Sequence, residues 1–483
     1  MPKIDIGEWL PDLSPMEGSQ VIQNVKPLGN GYKELEAGEV VTNALTARVQ
    51  GFGTAQNTSG QWFSYAGDST KLYMSSANTW TSAGTGYTLG DAERWEFVNF
   101  RGVIIALSKG EEPVEDTAGA GTFATFMSST KKPKAAQGAI VKSHLVLGNY
   151  NDGTEYLNGV IWSSSTDYTD FDPDTQTGSG AQYLESTGTV QRIVGGEYGT
   201  IFLDDSIWVM TYEGPPTLFR FDKVADNVGA LGGGSVINLG STIYFLSLDG
   251  FWALTGSELR RIGQNKIDEY VLANLDRTNL DRISSVAEAK TGLIYWSYPS
   301  SSGNPTNIVI YNPHQGRWSY ATFEHELLVK DRTKSITLDD ATWGSFSLDA
   351  PAIASLSVDA PRFLGGVSQI GHFDTAHRTQ LWTGTGRTAT LDTPEVQFFE
   401  GGRAFINKAR PYVTGSDASI TVAVGTREQL SDTVSYGTAV APNSFGEVPL
   451  RSSSRFMTFR TVISGGFDET LGIEVEPIPA GVR

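Results

Sequence analysis

Residues 233–263, GGSVINLGSTIYFLSLDGFWALTGSELRRIG, decide the fold. They predict two β-strands, roughly 241–248 and 251–255, meeting at Asp249-Gly250. Asp-Gly between apolar, β-branched and aromatic runs is a strong hairpin signal, because Gly tolerates the positive φ of a tight turn. Flanking glycines and a further short strand complete one small antiparallel sheet. Outward from it the pattern recurs. Trp162, Trp208, Trp252 and Trp296 follow one another at 46, 44 and 44 residues, each in a short apolar strand beside Gly, Asn or Asp. Repeats of ~40–50 residues with several strands each are the mark of propeller blades. The expected fold is all-β: a propeller of about seven blades, an N-terminal extended arm and a C-terminal β-sandwich.

Composition agrees. The chain has 483 residues, 54 Gly, 11% aromatics and no Cys. Helical periodicity is confined to 266–275 (KIDEYVLANL), the one short helix expected. Without Cys there are no disulfides and no thiolate sites, which suits assembly in a reducing cytoplasm. The start, MPKIDIGEWLPDLSP, lacks the basic and apolar blocks of a signal peptide. No apolar run approaches the ~20 residues of a membrane helix, so no membrane-spanning segment is expected.

Lys and Arg number 36 against 54 Asp and Glu, a net charge of −18. Residues 386–483 hold 9 basic and 11 acidic residues, leaving 27 of the 36 and 43 of the 54 in residues 1–385, a net of −16 there. Such a surface opposes ordinary nucleic-acid binding, in which Lys and Arg displace counterions from phosphates.

In order along the chain, 1–45 read as the arm, rich in Pro with turns near Gly31-Tyr32. Blades are expected over 46–335. Within them Lys131, Lys132 and Lys134 form a basic cluster beside Pro133, read as a solvated turn rather than a phosphate site. Asp167, Asp170, Asp172 and Asp174 crowd one loop, but the sixth-position Gly and twelfth-position Glu of an EF-hand are missing, so a solvated acidic loop is expected. Three pentapeptides, TLDDA, SLDAP and SVDAP, recur at ten-residue steps within 336–362 and read as a linker. Closing propeller strands are expected over 363–390 and the sandwich over 391–483, with strands at 395–399, 404–406, 410–413, 419–424, 455–463 and 471–475.

Catalytic signatures are missing. There is no G-x-S-x-G, P-loop or H-E-x-x-H, and His372 and His377 lack the i, i+4 spacing of a helical zinc site. Ser247–Trp252 resembles an Asp-box of propeller glycosidases, but its Gly and Trp arrive too early and the motif occurs once. The pairs Asp204-Asp205 and Asp339-Asp340 would point apart on a strand. No catalytic, cofactor-binding or metal-ligating residue is assigned, and no enzyme activity is expected.

Several motifs do carry a resemblance. Trp9-Leu10-Pro11-Asp12, Asn24-Val25-Lys26-Pro27, Gly31-Tyr32, Gly67–Tyr73 and Thr79-Trp80 are similar to the N-terminal portion of phage tail-nozzle or tail-hub proteins, the packaged-DNA stabilisation proteins of short-tailed phages. The likeness continues through Phe245–Phe251, Ile262-Gly263, Tyr311-Asn312-Pro313 and Arg317-Trp318-Ser319. It reaches the S-L-D-A-P linker, Val422–Arg427 and Ser454-Arg455-Phe456. The resemblance implies a virion tail protein assembled in the host cytoplasm as a homohexameric ring. The ring would sit below the portal and adaptor (head-to-tail connector) proteins and contact tail fibre, spike or needle proteins. It would extend the DNA channel, retain the packaged genome and pass it, without sequence-specific binding, at ejection. Acidic walls would let a polyanion slide without sticking. The alternative from the residues alone is a receptor- or glycan-binding propeller that uses exposed aromatics.

Overall fold

The computed structural model describes residues 2–76, 78–174, 178–215, 217–301, 303–332 and 368–481. Seven four-stranded antiparallel arrays form a β-propeller. Their innermost strands are Gly51–Gln56, Glu96–Phe100, Lys134–Val141, Val190–Val194, Ile237–Leu239, Ser284–Ala287 and Leu327–Arg332. These strands neighbour one another round a ring, and the seventh packs back on the first. A 3-10 turn, Gly233–Ser235, precedes the fifth inner strand and packs on the fourth and the sixth.

The second strand of a blade is covered on both faces by adjacent blades, so its sequence is a continuous apolar run rather than an alternation. Val103–Leu107 (VIIAL), Gly199–Leu203 (GTIFL) and Ile294–Tyr298 (IYWSY) obey this rule, with nearly every residue buried. Each fully buried Leu, Ile or Phe contributes about 1.5–3 kcal/mol.

The central hairpin forms as expected but turns one residue early. Thr242–Ser247 pairs with Gly250–Thr255 in the register Ser247↔Gly250, so Leu248-Asp249 make the turn. Gly250 sits in the strand at φ 128, where a Cβ would lie 2.2 Å from Asp268 Cγ. The Asp-Gly signal located the hairpin, but the glycine is there for the close approach of that carboxyl.

The tryptophan repeat holds for three of its four members. Trp162, Trp208 and Trp252 lie in third strands of their blades, Trp296 in a second strand. The connection between the fifth and sixth blades carries the helix Asp268–Asn274, and this insertion moves the sixth blade along the count.

The N-terminal 45 residues wrap the body. Lys3–Asp5 pairs with Glu469–Pro479 in the sandwich, and Ile22–Gln23 bridges two other sheets. Glu36–Ala44 is the outermost strand of the seventh blade, beside Arg378–Gly386. The seventh blade therefore draws its first three strands from 327–386 and its fourth from the N-terminal region, which closes the ring non-covalently. The pentapeptide repeats at 336–362 and the expected strand start at Phe363 lie outside the described residues. The strand that follows begins at Ser368.

The C-terminal sandwich has one sheet of Lys3–Asp5, Glu469–Pro479, Ala404–Thr414 and Val448–Ser454. The facing sheet contains Ala389–Asp392, Phe456–Ser464, Ser419–Arg427 and Ser435–Tyr436. The expected strands at 404–406 and 410–413 are one strand, because a register shift between Ile406 and Lys408 absorbs the break. The expected strand at 395–399 is reduced to a bridge between Val396 and Met457. The second sheet does not stop at the domain boundary. Through Ile22–Gln23 it runs on into the sixth blade as one nine-stranded sheet. Trp9, Ile22, Val25, Tyr32, Phe251, Trp296, Trp318, Leu391, Ile463 and Phe467 share one core across that joint.

Candidate functional site

The propeller axis is where polar side chains converge. Arg94 precedes the second blade's inner strand, Glu96 opens that strand, and Arg192 lies on the fourth blade's inner strand. Arg192 Nη1 contacts Glu96 Oε2 at 2.5 Å. Arg94 reaches across the ring, its Nη1 donating to the carbonyls of Asp281 (3.0 Å) and Ile283 (2.6 Å) just before the sixth blade. Nearby, Asp91 accepts from Arg48 (3.1 Å) and Arg282 (3.0 Å), and these two guanidinium groups hold its carboxyl below the usual range. Burial lowers the pKa of Arg94, opposed by Glu96. The result is a staple between opposite sides of the propeller.

Gly234 lets the staple close. A Cβ there would lie 1.9 Å from the Ile283 carbonyl oxygen and 2.4 Å from Arg94 Nη1.

Arg94, Glu96, Arg192, Gly233 and Gly234 form a waist between two cavities. One, of about 320 Å3, lies toward the second to fourth blades and includes Gln137 and Asn149. Asn149 sits at φ 50 in a bulge, and among the described residues neither its Oδ1 nor Gln137 Oε1 has a partner. The other, of about 250 Å3, faces the first, sixth and seventh blades and includes Thr54, Ser284, Ser285 and Lys330.

The residues weighed from sequence lie elsewhere. Lys131 pairs with Asp152 (2.7 Å), Lys132 with Glu112 (3.0 Å), and Lys134 donates to the Gly110 carbonyl (2.7 Å). The acidic loop is held by local hydrogen bonds: Asp167 accepts from the Thr169 N–H and Asp170 from the Asp172 N–H, while Asp172 accepts from the Thr130 and Lys131 N–H groups. Among the described residues no cluster of acids and histidines has metal-binding geometry. Asp204 takes the Thr189 N–H while Asp205 takes the Ser186 hydroxyl, so the adjacent pair does separate work. Asp339 and Asp340 lie outside the described residues.

His372 and His377 also part. His372 Nδ1 accepts from Trp382 Nε1 at 2.9 Å, and His377 Nδ1 meets Glu326 at 2.6 Å. His325, buried beside His372, meets the Ser297 hydroxyl at 2.6 Å.

Sequence reasoning did not single out the axial residues. The signal was charge placed in an inner strand, single in EFVNF and VQRIV and threefold in LLVKDR.

No protein-family model and no curated protein matches the chain. Among solved structures it is similar to BamB from Moraxella catarrhalis, with 11% identity and a TM-score of 0.36, covering 74% of this chain and 93% of that one. The propeller assignment rests on the strand pairing itself.

Proposed function

We propose that the chain is a structural, non-enzymatic subunit of a bacteriophage tail, a nozzle or hub. Copies of it would form a ring below the portal and adaptor that extends the DNA channel, retains the genome and conducts it at ejection. The carrying observation is where several residues of the resemblance meet. Trp9 and Tyr32 from the start of the chain share one core with Phe251, Ile262, Tyr311 and Trp318. Asn312 Nδ2 donates to the Pro27 carbonyl at 2.7 Å, the Ser319 hydroxyl to Val25 at 2.6 Å, and Arg317 lies over the Tyr32 ring at 4.5 Å. Motifs far apart in sequence thus build one joint, as expected if they define a common architecture rather than chance matches.

On this reading the conduit lies between copies. The axial cavities of one propeller, about 320 and 250 Å3, hold on the order of ten waters each, whereas the major groove of a duplex alone is ~12 Å wide. The acid excess of residues 1–385 supplies walls that repel phosphate. The test is electron microscopy of the purified chain, alone and mixed with portal and adaptor proteins. A six-copy ring with an axial hole, alone or on the connector, is the expected result. A monomer that fails to join the connector would overturn the proposal.

A second reading, a receptor- or glycan-binding propeller of a tail, is favoured by the stacked Tyr156–Tyr183 pair, whose centroids lie 4.8 Å apart. Tyr183 is 49% exposed. Binding to a glycan array, lost in Tyr183→Ala, would support it.

A further inference from the structure

The smaller axial cavity holds more positive charge than it balances. Its charged lining is Arg94, Arg192 and Lys330 against the single carboxylate of Glu96, within a chain of net charge −18. Glu96 is taken by Arg192. Arg94 uses Nη1 on two backbone carbonyls, which are dipoles rather than counter-charges. Among the described residues no carboxylate forms an ion pair with Arg94 or Lys330. Lys330 lies on the seventh blade's inner strand, between Val329 and Asp331. Burial lowers its pKa and Arg332 lowers it further, as expected for an ammonium without a counter-ion. Hydroxyl-bearing Thr54, Ser284 and Ser285 and the backbone at Gly233 and Gly234 complete the wall.

We propose that this cavity is a binding site for a small oxyanion, a phosphate or a carboxylate, seated between Arg94, Arg192 and Lys330. A guanidinium presents paired N–H donors that match the two oxygens of either group, and Lys adds a point charge. About 250 Å3 admits inorganic phosphate or a small organic acid but not a polymer. The site does not depend on the tail assignment, since a chain that never forms a ring would still bind.

Isothermal titration of the full chain at fixed ionic strength tests it, with inorganic phosphate in one arm, citrate in a second and chloride as control. Saturable binding of one anion per chain is expected, weakened at least tenfold in Lys330→Gln and unchanged in Lys142→Gln. Lys330 is solvent-accessible and bears no ion pair, so the variant should keep the wild-type circular dichroism. Preference for phosphate or for citrate identifies which oxyanion the site takes. No saturable heat beyond chloride with either, or equal affinity in Lys330→Gln, would overturn the proposal.

Discussion

His325 and His372 are buried side by side between the sixth and seventh blades, their ring centroids 6.0 Å apart. Burial pushes His325 down to about 4 and His372 to about 3, the second helped by the charge of its neighbour. Both are neutral in the folded state, while the unfolded chain takes up protons near pH 6.5, so acid favours unfolding. Stability is full above pH ~6.5 and falls as pH drops toward 4, by on the order of 3 kcal/mol for His325 alone. Asp268 has the opposite sign: burial raises its carboxyl to about 6, so its contribution weakens as pH rises from 4 to 6. With two histidines against one carboxyl, a net loss in acid is expected. Urea unfolding from pH 7 to 4 measures it, and the double variant His325→Gln/His372→Gln should flatten the slope. Gly250 offers a second residue-scale check. Gly250→Ala adds a Cβ at positive φ against Asp268, at a cost of roughly 2–4 kcal/mol. If the carboxyl is the obstacle, Asp268→Ala in the same chain should recover part of that loss.

At the scale of elements, the N-terminal segment is the part that sequence concealed. Glu36–Ala44 reads EAGEVVTNA and has no buried residue, so neither alternation nor an apolar run marks it as a blade strand. Only its partner, Arg378–Gly386, specifies it, and that pairing spans most of the chain. The second strands were legible for the converse reason: burial on both faces writes itself as VIIAL or GTIFL. The axial site was illegible because Arg94, Arg192 and Lys330 come from three distant places, with no recognised motif around any of them. Trp9 shows what the segment contributes. It is fully buried, stacks near Tyr320 at 4.7 Å and meets Tyr270 edge-on at 5.4 Å. Trp9→Ala should cost about 3–5 kcal/mol in urea denaturation. A loss below 1 kcal/mol would mean the segment rests on the propeller without stabilising it.

At the scale of the whole molecule, the nine-stranded sheet makes propeller and sandwich one mechanical body. The sandwich half of that sheet is held by the buried Arg427–Glu395 pair, 8% and 2% exposed, and by Arg460 bidentate on Asp392 at 2.8 Å. A body so joined, and so acidic, has a defined relation to DNA. Its excess of carboxylates gives a duplex few phosphate contacts to exchange for counterions, and the axial cavity lined by Arg94 and Lys330 is too small for a duplex. The purified chain is therefore expected to leave duplex DNA unshifted in a gel at ~150 mM salt, where non-specific binders have Kd values of ~10⁻⁴–10⁻⁶ M. Lowering the salt should not rescue binding, because weaker screening strengthens the repulsion between like charges as much as any attraction. A conduit needs that indifference, since each phosphate that sticks slows the ones behind it. Tight retention of DNA with a steep salt dependence would mean a basic face is exposed that the charge distribution does not foresee, and the acidic-wall account would have to be abandoned.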